Sequence, residues 1–477
     1  MLDIKKEKNE FLQNIRNTFE KFFGENSTNK INLMNYLPEE KWLEIKKSGL
    51  LLPFLPENYG GLKASQFNIQ ETLRIAGNYG VPVTLRTGIE GALVIQPLVA
   101  YANNELISEV LPLIFESEGG GLGITEPATS GSAIAREMQS YYEVIDEKTI
   151  FVNAVKYWQG NSNSEFLLIA AKEKKNGKLS KIINLIFVPK QYISSEMLVS
   201  EGLKAVRYAV NTVSSNIPKK YLIELSSHSG NPLREFQNIF IRSRLQLIGM
   251  THGVIESINN NIHKYIRSGI EFVNYELNEI KNMYNASKVL YDYVCNNIDP
   301  STSVSDKLLE ANIVKSVGSE YSYNAAKLAQ KLLGAKGYES GHPMSNIAID
   351  IRPFTIFEGN NEMLYAEIFD TFSKSSEYEK ENNIKIDKSV SIYNRLISDK
   401  RYLTTNNNSN ILSSEIVEFL KTHIIKDVSQ IQKVFIGRII SKFFILNQTD
   451  NSELIKFINK EIFKDITDYQ YTLQYRK

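Results

Sequence analysis

The chain has 477 residues, of which 42% are apolar and 10% aromatic, enough to bury the cores of two or three globular domains. Its 55 Lys and Arg residues balance 54 Asp and Glu residues, so no overall field favours nucleic acid. Cys295 is the single cysteine, which excludes an intramolecular disulfide, and the five His residues show no metal-ligand spacing. Without a signal-peptide core or a run of about 18 apolar residues, we expect a cytoplasmic protein.

Residues 1–118 are predicted to form a helical domain. Apolar residues at positions 11, 12, 15, 19, 22 and 23 recur on one helix face, and 88–101 and 105–115 are further helix candidates. Between them, residues 52–61 read LPFLPENYGG, which is typical of a loop rich in proline and glycine.

Residues 119–241 are predicted to form a β domain. Short β-branched or aromatic runs at 142–144, 150–152, 166–171 and 182–188 alternate with turn-like or charged stretches such as 146–148 and 172–181. The glycines at 119, 120, 121 and 123 resemble a dinucleotide-binding loop in composition. They precede an apparent strand and do not open a helix, so we reject that interpretation.

Two segments of the β domain carry candidate binding residues. In the first, residues 124–132 read ITEPATSGS, and their backbone amides and small hydroxyls can hydrogen-bond the rim of a flat heterocycle. A plain exit from a strand has the same composition. In the second, residues 156–161 read KYWQGN, and the indole of Trp158 offers a broad apolar face. A lone tryptophan is more often part of a core.

Residues 242–372 are predicted to be helical again, with apolar positions of helix period in 276–297 and 305–333. The second of these stretches ends at Gly334 and Gly337, which are good residues for stopping a helix. By itself this glycine-rich segment indicates only a helix end.

A further candidate site lies near the end of this region. An apolar run ends in Glu358 and Gly359, and a helical pattern opens after two asparagines, so Asn360 or Asn361 can cap that helix. A Glu beside a Gly is in most proteins a solvated turn residue, so this pattern alone is weak evidence for catalysis.

Residues 373–477 are predicted to form a helical extension. Residues 373–387 are charged and linker-like, and 404–410 form another polar break. Apolar positions 416, 419, 420 and 424, and then 435, 436, 439, 440, 443 and 444, indicate two helices with apolar faces. We favour packing on the preceding helices or at a subunit interface over docking to a membrane or a carrier protein.

In their order along the chain, these segments resemble the signature blocks of the acyl-CoA dehydrogenase family. Residues 349–363 are similar to its closing block around I-Y-E-G, and residues 56–61 to its P-E-x-Y-G-G turn. Further matches are 124–132 to T-E-P-x-A-G-S-D, 156–161 to G-x-K-x-W-I-T-N, 216–223 to V-P-x-x-x-L-L, 244–253 to R-x-x-x-A-x-x-x-G and 334–338 to G-G-x-G-Y. The resemblance covers about residues 30 to 372.

The fold that this resemblance implies is an α+β multidomain protein. It has an N-terminal helical domain at 1–118, a central β-barrel-like domain at 119–241 and a C-terminal four-helix bundle at 242–372. The extension at 373–477 continues beyond the point where compact relatives stop. Relatives assemble as homodimers or homotetramers, which implies the same for this chain.

The activity that the resemblance implies is FAD-dependent formation of an α,β-double bond in an acyl thioester, carried by coenzyme A or an acyl carrier protein. Glu358 falls on the residue that removes the α-proton in many relatives, while hydride leaves the β-carbon for flavin N5. The backbone N–H of Glu358 would bind the thioester carbonyl, and burial is expected to raise the pKa of this carboxyl. Ser243 occupies the position beside Arg244 where some relatives carry an alternative acid. An electron acceptor such as an electron-transfer flavoprotein is the implied partner.

The resemblance also implies a set of binding residues and no metal. The FAD contacts would be Ile124, Thr125, Ser132, Trp158, Gly160, Arg267, Gly334, Gly337 and Asn360, and the substrate contacts Gly131, Arg244 and Gly359. The backbone of Gly334 and Gly337 would receive the FAD of a neighbouring subunit.

Several positions depart from the family pattern. Relatives carry a flavin-bonding Thr where this chain has Gly160, so either Asn161 or Ser162 substitutes or the bond is lost. Arg267 is the nearest counterpart of a phosphate-binding Arg, in a shortened segment, and Asn360 replaces a hydroxyl. Two alternatives therefore stay open: a flavin-dependent monooxygenase or oxidase on the same fold, and a cofactor-free binding or scaffold protein.

Overall fold

The structure is a computed structural model that describes residues 2–24, 37–62, 65–127, 134–225, 230–267, 269–339, 342, 344–374 and 428–473. Helices at the N-terminal side and at the C-terminal side are separated along the chain by a central sheet. Across these ranges, no helix is long and apolar enough to cross a membrane.

The N-terminal region is helical, as the apolar periodicity predicts. Its helices are α1 (Leu2–Phe23), α2 (Glu39–Lys47), α3 (Gln66–Tyr79), α4 (Val81–Gly88), α5 (Gln96–Tyr101) and α6 (Asn104–Glu116), and a π-helical segment, Ile89–Ile95, joins α4 to α5. Ile15 and Phe19 of α1 are buried against Trp42 and Ile45 of α2. The face predicted for the first helix is therefore the one that packs.

The central region forms an eight-stranded mixed sheet in the order β6-β7-β3-β2-β4-β5-β8, with β1 paired to β4. The strands are β1 (Gly120–Gly123), β2 (Tyr141–Val144), β3 (Thr149–Gln159), β4 (Phe166–Lys175), β5 (Lys178–Pro189), β6 (Ser194–Met197), β7 (Ala209–Pro218) and β8 (Leu222–Ile223), and the short helix α7 (Ile134–Glu137) precedes β2. Among the described strands, β6 and β8 stand at the two ends of this order and are not paired with each other. The region predicted to be barrel-like is therefore an open sheet.

Strand β4 shows why its sequence is a continuous apolar run. Leu168 and Ala170 belong to the main hydrophobic core, whereas Leu167 and Ile169 belong to a second core on the other face. A strand that is covered on both faces lacks the usual alternation of apolar and polar residues.

The sequence predicts the charged stretch 172–181 to be a separator between two strands. In the structure most of it belongs to β4 and β5 themselves and forms the tip of their hairpin. Asn176 and Gly177 form its turn with φ of 51° and 75°. An Asn-Gly pair favours the two-residue hairpin turn in which both residues have positive φ, so the flanking lysines extend the strands into solvent.

The C-terminal helical region begins earlier than expected. Its helices are α8 (Pro232–Asn261), α9 (Glu271–Asn297), α10 (Leu308–Leu332), α11 (Ile347–Ile351) and α12 (Asn361–Lys374). The boundary expected between residues 241 and 242 falls inside α8, whose first turn is capped by Asn231 accepting from the Arg234 N–H at 3.1 Å. Phe236 and Ile239 are buried, so the apolar run that we assigned to the β domain is a helix face.

The described part of the extension is a pair of helices, α13 (Gln430–Leu446) and α14 (Ser452–Leu473). The apolar positions 435–444 lie in α13, and Ile439 and Ile440 are fully buried in the main core, which confirms packing on the preceding helices for this part. The predicted helix at 416–424, the break at 404–410 and residues 375–387 of the predicted linker lie outside the described residues.

Candidate active site

A cavity of about 2120 Å³ opens among the sheet, α8, α10, α12 and the start of α13. The predicted site residues that line it are Ile124, Thr125, Trp158, Gly160, Arg244, Glu358, Gly359 and Asn360. These residues come from strand ends, a helix and a turn that are distant in sequence, so the fold brings the two candidate binding segments and the candidate base to one space.

The other predicted residues do not line this cavity among the described residues. Gly131 and Ser132 lie outside the described ranges. Arg267 is exposed, and the rings of Tyr265 and His342 lie 4.8 Å apart, so the Arg267 loop is next to the segment that follows Gly337. Arg267 and Gly334 are exposed, whereas Gly337 is buried against Gln330, and none of the three lines the chain's own cavity.

Glu358 lies in an unusual turn between the 3₁₀ segment Arg352–Thr355 and helix α12. Its φ is 56° and that of Gly359 is 107°, so two successive residues have left-handed backbone. Asn360 caps α12 by accepting from the Glu362 N–H at 2.9 Å, which confirms one of the two predicted caps. Left-handed backbone at a residue other than glycine is uncommon and concentrates at functional sites.

Two cations hold the backbone of this turn. The Arg244 Nε donates to the Glu358 carbonyl at 2.9 Å, and its Nη1 donates to Asn312 Oδ1 at 2.7 Å. The Lys315 ammonium donates to the Gly359 carbonyl at 2.6 Å and to Asn361 Oδ1 at 2.8 Å. The turn is thus tied to α8 through Arg244 and to α10 through Lys315.

The two carboxylate oxygens of Glu358 have different surroundings. Oε1 accepts a hydrogen bond of 2.5 Å from the Ser243 hydroxyl, whereas Oε2 is buried without a hydrogen-bond partner among the described residues. The residue as a whole is only half-buried because it lines the cavity, but this oxygen is shielded from solvent. Such a carboxylate has an acceptor free for a proton.

Burial raises the pKa of Glu358, in the direction expected for a base that must take up a proton. The Ser243 hydrogen bond and the charges of Arg244 and Lys315 act in the opposite direction. Burial lowers the pKa of Lys315 to about 7, although the charge of Glu358 opposes this. The pKa of Arg244 is likewise lowered by burial.

The segment around Thr125 is anchored by a buried ion pair. The Lys156 ammonium lies 2.8 Å from Glu126 Oε1, and the same carboxylate accepts from the backbone N–H groups of Gln139 at 2.7 Å and Ser140 at 3.0 Å. Burial lowers the pKa of Lys156 to about 8. Because Lys156 is in β3 and Glu126 follows Thr125, this pair holds the Thr125 segment beside the strand that carries Trp158.

Trp158 stands at the end of β3 with φ of 60° and is 46% exposed. Its ring meets those of Tyr157 and Tyr208 edge-on, at centroid distances of 5.9 Å and 5.6 Å. The indole is therefore not part of the core, and its free surface is available to a flat ligand in the cavity.

The open question at Gly160 is answered by packing. A Cβ at this position would lie 2.6 Å from Ile89 Cδ1 and 2.8 Å from Val206 Cγ1, so a threonine does not fit without movement of both. Asn161 and Ser162 are fully buried and do not line the cavity, and the Ser162 hydroxyl donates to the Gln159 carbonyl at 2.8 Å. Neither side chain presents a polar group to the cavity in the described structure.

One part of the cavity wall is apolar. It is formed by Leu85, Ile89, Leu93, Phe236 and Phe240. Two of these residues belong to the π-helical segment, which is anchored by the fully buried Glu90. Its Oε1 accepts from Trp42 Nε1 at 2.9 Å, and π-bulges occur frequently at functional sites.

The extension also reaches the cavity. Val428, Gln430 and Lys433 line it, and the Lys433 ammonium donates to Asp370 Oδ1 of α12 at 2.7 Å. Sequence reasoning assigned no part in the site to this region, because nothing in a helical pattern indicates which neighbour it covers.

The polar face of α10 was missed as well. Asn312, Lys315, Ser316 and Ser319 are all buried and all bond to the Glu358–Asn361 turn or to a residue that holds it. Their spacing of three and four residues is a helical signal that the sequence contains. It is easily read as a solvated face, which is the opposite of the observed burial.

Comparison with known proteins agrees with this architecture. Models of the acyl-CoA dehydrogenase N-terminal domain and of the acyl-CoA dehydrogenase C-terminal domain match residues 5–118 and 233–371. The human mitochondrial very long-chain specific acyl-CoA dehydrogenase is 22% identical over 383 residues, which cover 76% of this chain. Only 57% of that relative is covered, so the chain spans a little over half the length of the curated relatives it matches.

Solved structures show the same fold. Butyryl-CoA dehydrogenase from Megasphaera elsdenii aligns with a TM-score of 0.67 at 16% identity, covering 76% of this chain and 97% of its own. The prolyl acyl carrier protein oxidase AnaB aligns with a TM-score of 0.66 at 16% identity, covering 76% and 98%. The predicted arrangement of an N-terminal helical domain, a central sheet and a C-terminal helical domain is confirmed.

Proposed function

The chain belongs to the acyl-CoA dehydrogenase family, and from this premise we propose that it is an FAD-dependent enzyme that forms an α,β-double bond in an acyl thioester. One observation carries the proposal. Glu358 Oε2 is buried without a hydrogen-bond partner in the described structure, beside a cavity that Thr125 and Trp158 also line. A surface turn would expose this carboxylate to water.

The residues present fit a flavin. The half-exposed indole of Trp158 and the exposed Thr125 border the cavity, and Ile124 and Gly160 complete this side with backbone and small groups. These four residues would hold the isoalloxazine ring. Asn360 borders the cavity too, but its side chain is engaged in capping α12, so only its remaining polar groups are free for a ligand.

The chain's own residues supply the proton chemistry. Glu358 takes the α-proton on its free Oε2, and its raised pKa gives the carboxylate the basicity that this step needs. Arg244 and Lys315 hold the turn while the proton moves, and the backbone N–H of Glu358 is our assigned donor to the thioester carbonyl. A bound flavin would accept the hydride released from the β-carbon.

For the substrate, we assign the acyl chain to the apolar wall around Ile89, Leu93 and Phe240. Arg244 and Gly359 would lie near the thioester. The carrier is coenzyme A or an acyl carrier protein; both types of carrier are named among the structural neighbours, a butyryl-CoA dehydrogenase and a prolyl acyl carrier protein oxidase.

We further propose a homodimer or homotetramer in which each subunit contributes to its neighbour's cofactor. In support, the ring of Tyr265, two residues before Arg267, lies 4.8 Å from that of His342, which follows Gly337, and Arg267, Gly334 and Gly337 do not line the chain's own cavity. Tyr338 in this region is 93% exposed, an aromatic ring that a second subunit would cover. An electron-transfer flavoprotein is the proposed electron acceptor.

The test is anaerobic bleaching of the purified flavoprotein by a panel of acyl-coenzyme A esters and acyl carrier protein thioesters. The wild-type chain is expected to bleach with at least one of them, whereas Glu358→Gln should retain flavin and lose bleaching by at least about a thousandfold. Glu362→Gln is the control, since Glu362 is exposed on the same segment and does not line the cavity. Undiminished bleaching by Glu358→Gln removes Glu358 from the role of base.

The same assay separates the alternatives. Oxygen consumption in proportion to product indicates an oxidase in place of a dehydrogenase. Oxygen consumption that depends on added reduced flavin indicates a monooxygenase. A purified chain without flavin absorbance, and without any gain of it after incubation with FAD, assigns a cofactor-free binding protein.

A further inference from the structure

Lys315 is a lysine that is almost completely buried, with 1% of the residue exposed. Its ammonium makes no ion pair within hydrogen-bond distance in the described structure and instead donates to two neutral acceptors, the Gly359 carbonyl at 2.6 Å and Asn361 Oδ1 at 2.8 Å. Burying a cation on neutral partners carries a desolvation cost.

The two acceptors of Lys315 both belong to the segment that carries Glu358. The Gly359 carbonyl belongs to the left-handed turn, and Asn361 is the first residue of α12. Asn361 in turn donates to the Ser316 carbonyl at 3.1 Å, so the start of α12 is tied to α10 at several points. Lys315 therefore ties the residue after Glu358 to the first residue of α12.

Building on the proposed function, we infer that Lys315 is a positioning residue of this site, which holds the Glu358–Gly359 turn in its left-handed form and keeps the Glu358 carboxylate ionised at the cavity wall. Arg244 holds the other carbonyl of the turn at 2.9 Å, so the two residues act from opposite sides.

The charges that face the site come from three helices. Ser243 and Arg244 of α8 contact Glu358 directly, and Lys315 of α10 acts on it by charge. Glu362 of α12 acts on Lys315. Removing Lys315 leaves Arg244 as the remaining cation near the carboxylate, so the proton should bind Glu358 more tightly.

The experiment compares Lys315→Met with Lys315→Arg and with Lys331→Met, an exposed lysine of the same helix, in the flavin-loaded enzyme. For Lys315→Met we expect bleaching at pH 7 to fall about tenfold or more, the substrate Kd to change less than about threefold, and the acidic limb of the rate profile to move up by about one pH unit. Lys331 pairs with Glu276 and does not line the cavity, so Lys331→Met should match the wild type in bleaching rate, substrate Kd and acidic limb, although its stability can differ.

A readout independent of turnover is urea unfolding of the flavin-free chain. Just below pH 7, where Lys315 is still charged, Lys315→Met should destabilise the chain more when Glu358 is present than in the Glu358→Gln background, because it leaves a buried carboxylate uncompensated. Equal losses in both backgrounds, with an unmoved acidic limb, would overturn the inference.

Lys315→Arg keeps a positive charge at this position. It tests the inference independently if Lys315→Met does not fold. Its acidic limb should stay within about 0.3 pH units of the wild type, and a limb displaced by about one unit would overturn the inference. The proposed function fails separately, if the wild-type enzyme does not bleach with any thioester.

Discussion

The Ser243 hydroxyl donates a hydrogen bond of 2.5 Å to Oε1 of Glu358, and the second oxygen of that carboxylate is buried without a partner in the described structure. Ser243 immediately precedes Arg244, whose guanidinium holds the backbone of the same glutamate. Successive residues of α8 thus hold the side chain and the main chain of one residue, and they leave a single oxygen free.

Ser243→Ala is expected to raise the pKa of Glu358 further, because a hydrogen bond to an ionised carboxylate favours its charged form by about 1.5 to 3 kcal/mol. The acidic limb of the bleaching rate should move up by about one to two pH units, with the plateau at high pH little changed. Ser257→Ala, a buried serine of the same helix that bonds to Asn78, is the control and should leave the limb in place. A limb that does not move would show that the hydrogen bond is absent in solution.

Glu358→Gln is expected to change stability in a way that depends on pH. Because the folded pKa of Glu358 is raised above its usual 4.5, ionisation costs stability as the pH rises through the folded pKa, and the cost is absent well below pH 4.5. The melting temperature of the flavin-free variant minus that of the wild type should therefore increase between pH 4 and pH 8, by at least about 2 °C. A constant difference across this range would contradict the burial of an ionisable group at 358.

Asp350 provides a second buried acid outside the proposed chemistry. Its Oδ1 accepts from the Leu203 N–H at 2.6 Å, its Oδ2 is buried without a partner in the described structure, and burial raises its pKa from 3.8 to about 7. Stability from this group is present below pH 4 and lost as the pH rises to 7, by about 4 kcal/mol.

Asp350→Asn keeps an acceptor for Leu203 and removes the ionisation. We expect the free energy of unfolding, measured in urea, to fall less between pH 5 and pH 8 in the variant than in the wild type. Asp306→Asn, at an exposed aspartate, is the matched control and should behave as the wild type. An unchanged pH slope in Asp350→Asn would show that Asp350 is not ionised on burial.

Trp158→Ala is expected to weaken retention of flavin about tenfold without unfolding the chain, because the half-exposed indole contributes free surface to the cavity. The measurement is the flavin Kd by fluorescence quenching, together with thermal unfolding of the flavin-free chain. Val155→Ala, a partly exposed residue of the same strand that does not line the cavity, should leave both unchanged. An unchanged flavin Kd in Trp158→Ala would show that the indole does not contribute to flavin binding.

Gly437→Ala is expected to destabilise the chain by about 1 to 3 kcal/mol, because a Cβ at this position would lie 1.9 Å from the Tyr365 carbonyl oxygen. Helix α13 would have to move away from α12, which also shifts Lys433 at the cavity wall. Ile431→Ala, at an exposed residue of the same helix, should cost much less. Denaturant unfolding measures both, and equal losses would show that the helices do not approach so closely.

Local patterns in the sequence were sufficient for most of the elements, whereas the candidate base came from the resemblance to the family motifs. The helix periods around Phe19, the apolar run of β4 and the break before α12 each predict an element that the structure contains. The family motifs identified Glu358, Thr125 and Trp158, which the fold brings to one cavity. These features depend on neighbours within a few residues along the chain, or on a motif of fixed order.

Only the tertiary structure decided what each polar residue contacts. Lys315 is 43 residues from Glu358 in sequence, and its burial beside the turn follows from how α10 packs against α12. Gly160 excludes a side chain because Ile89 and Val206 approach it, and Lys433 reaches the cavity because Gly437 lets α13 pack closely on α12. Burial and close approach are set by segments far away along the chain, and a local pattern carries no information about them.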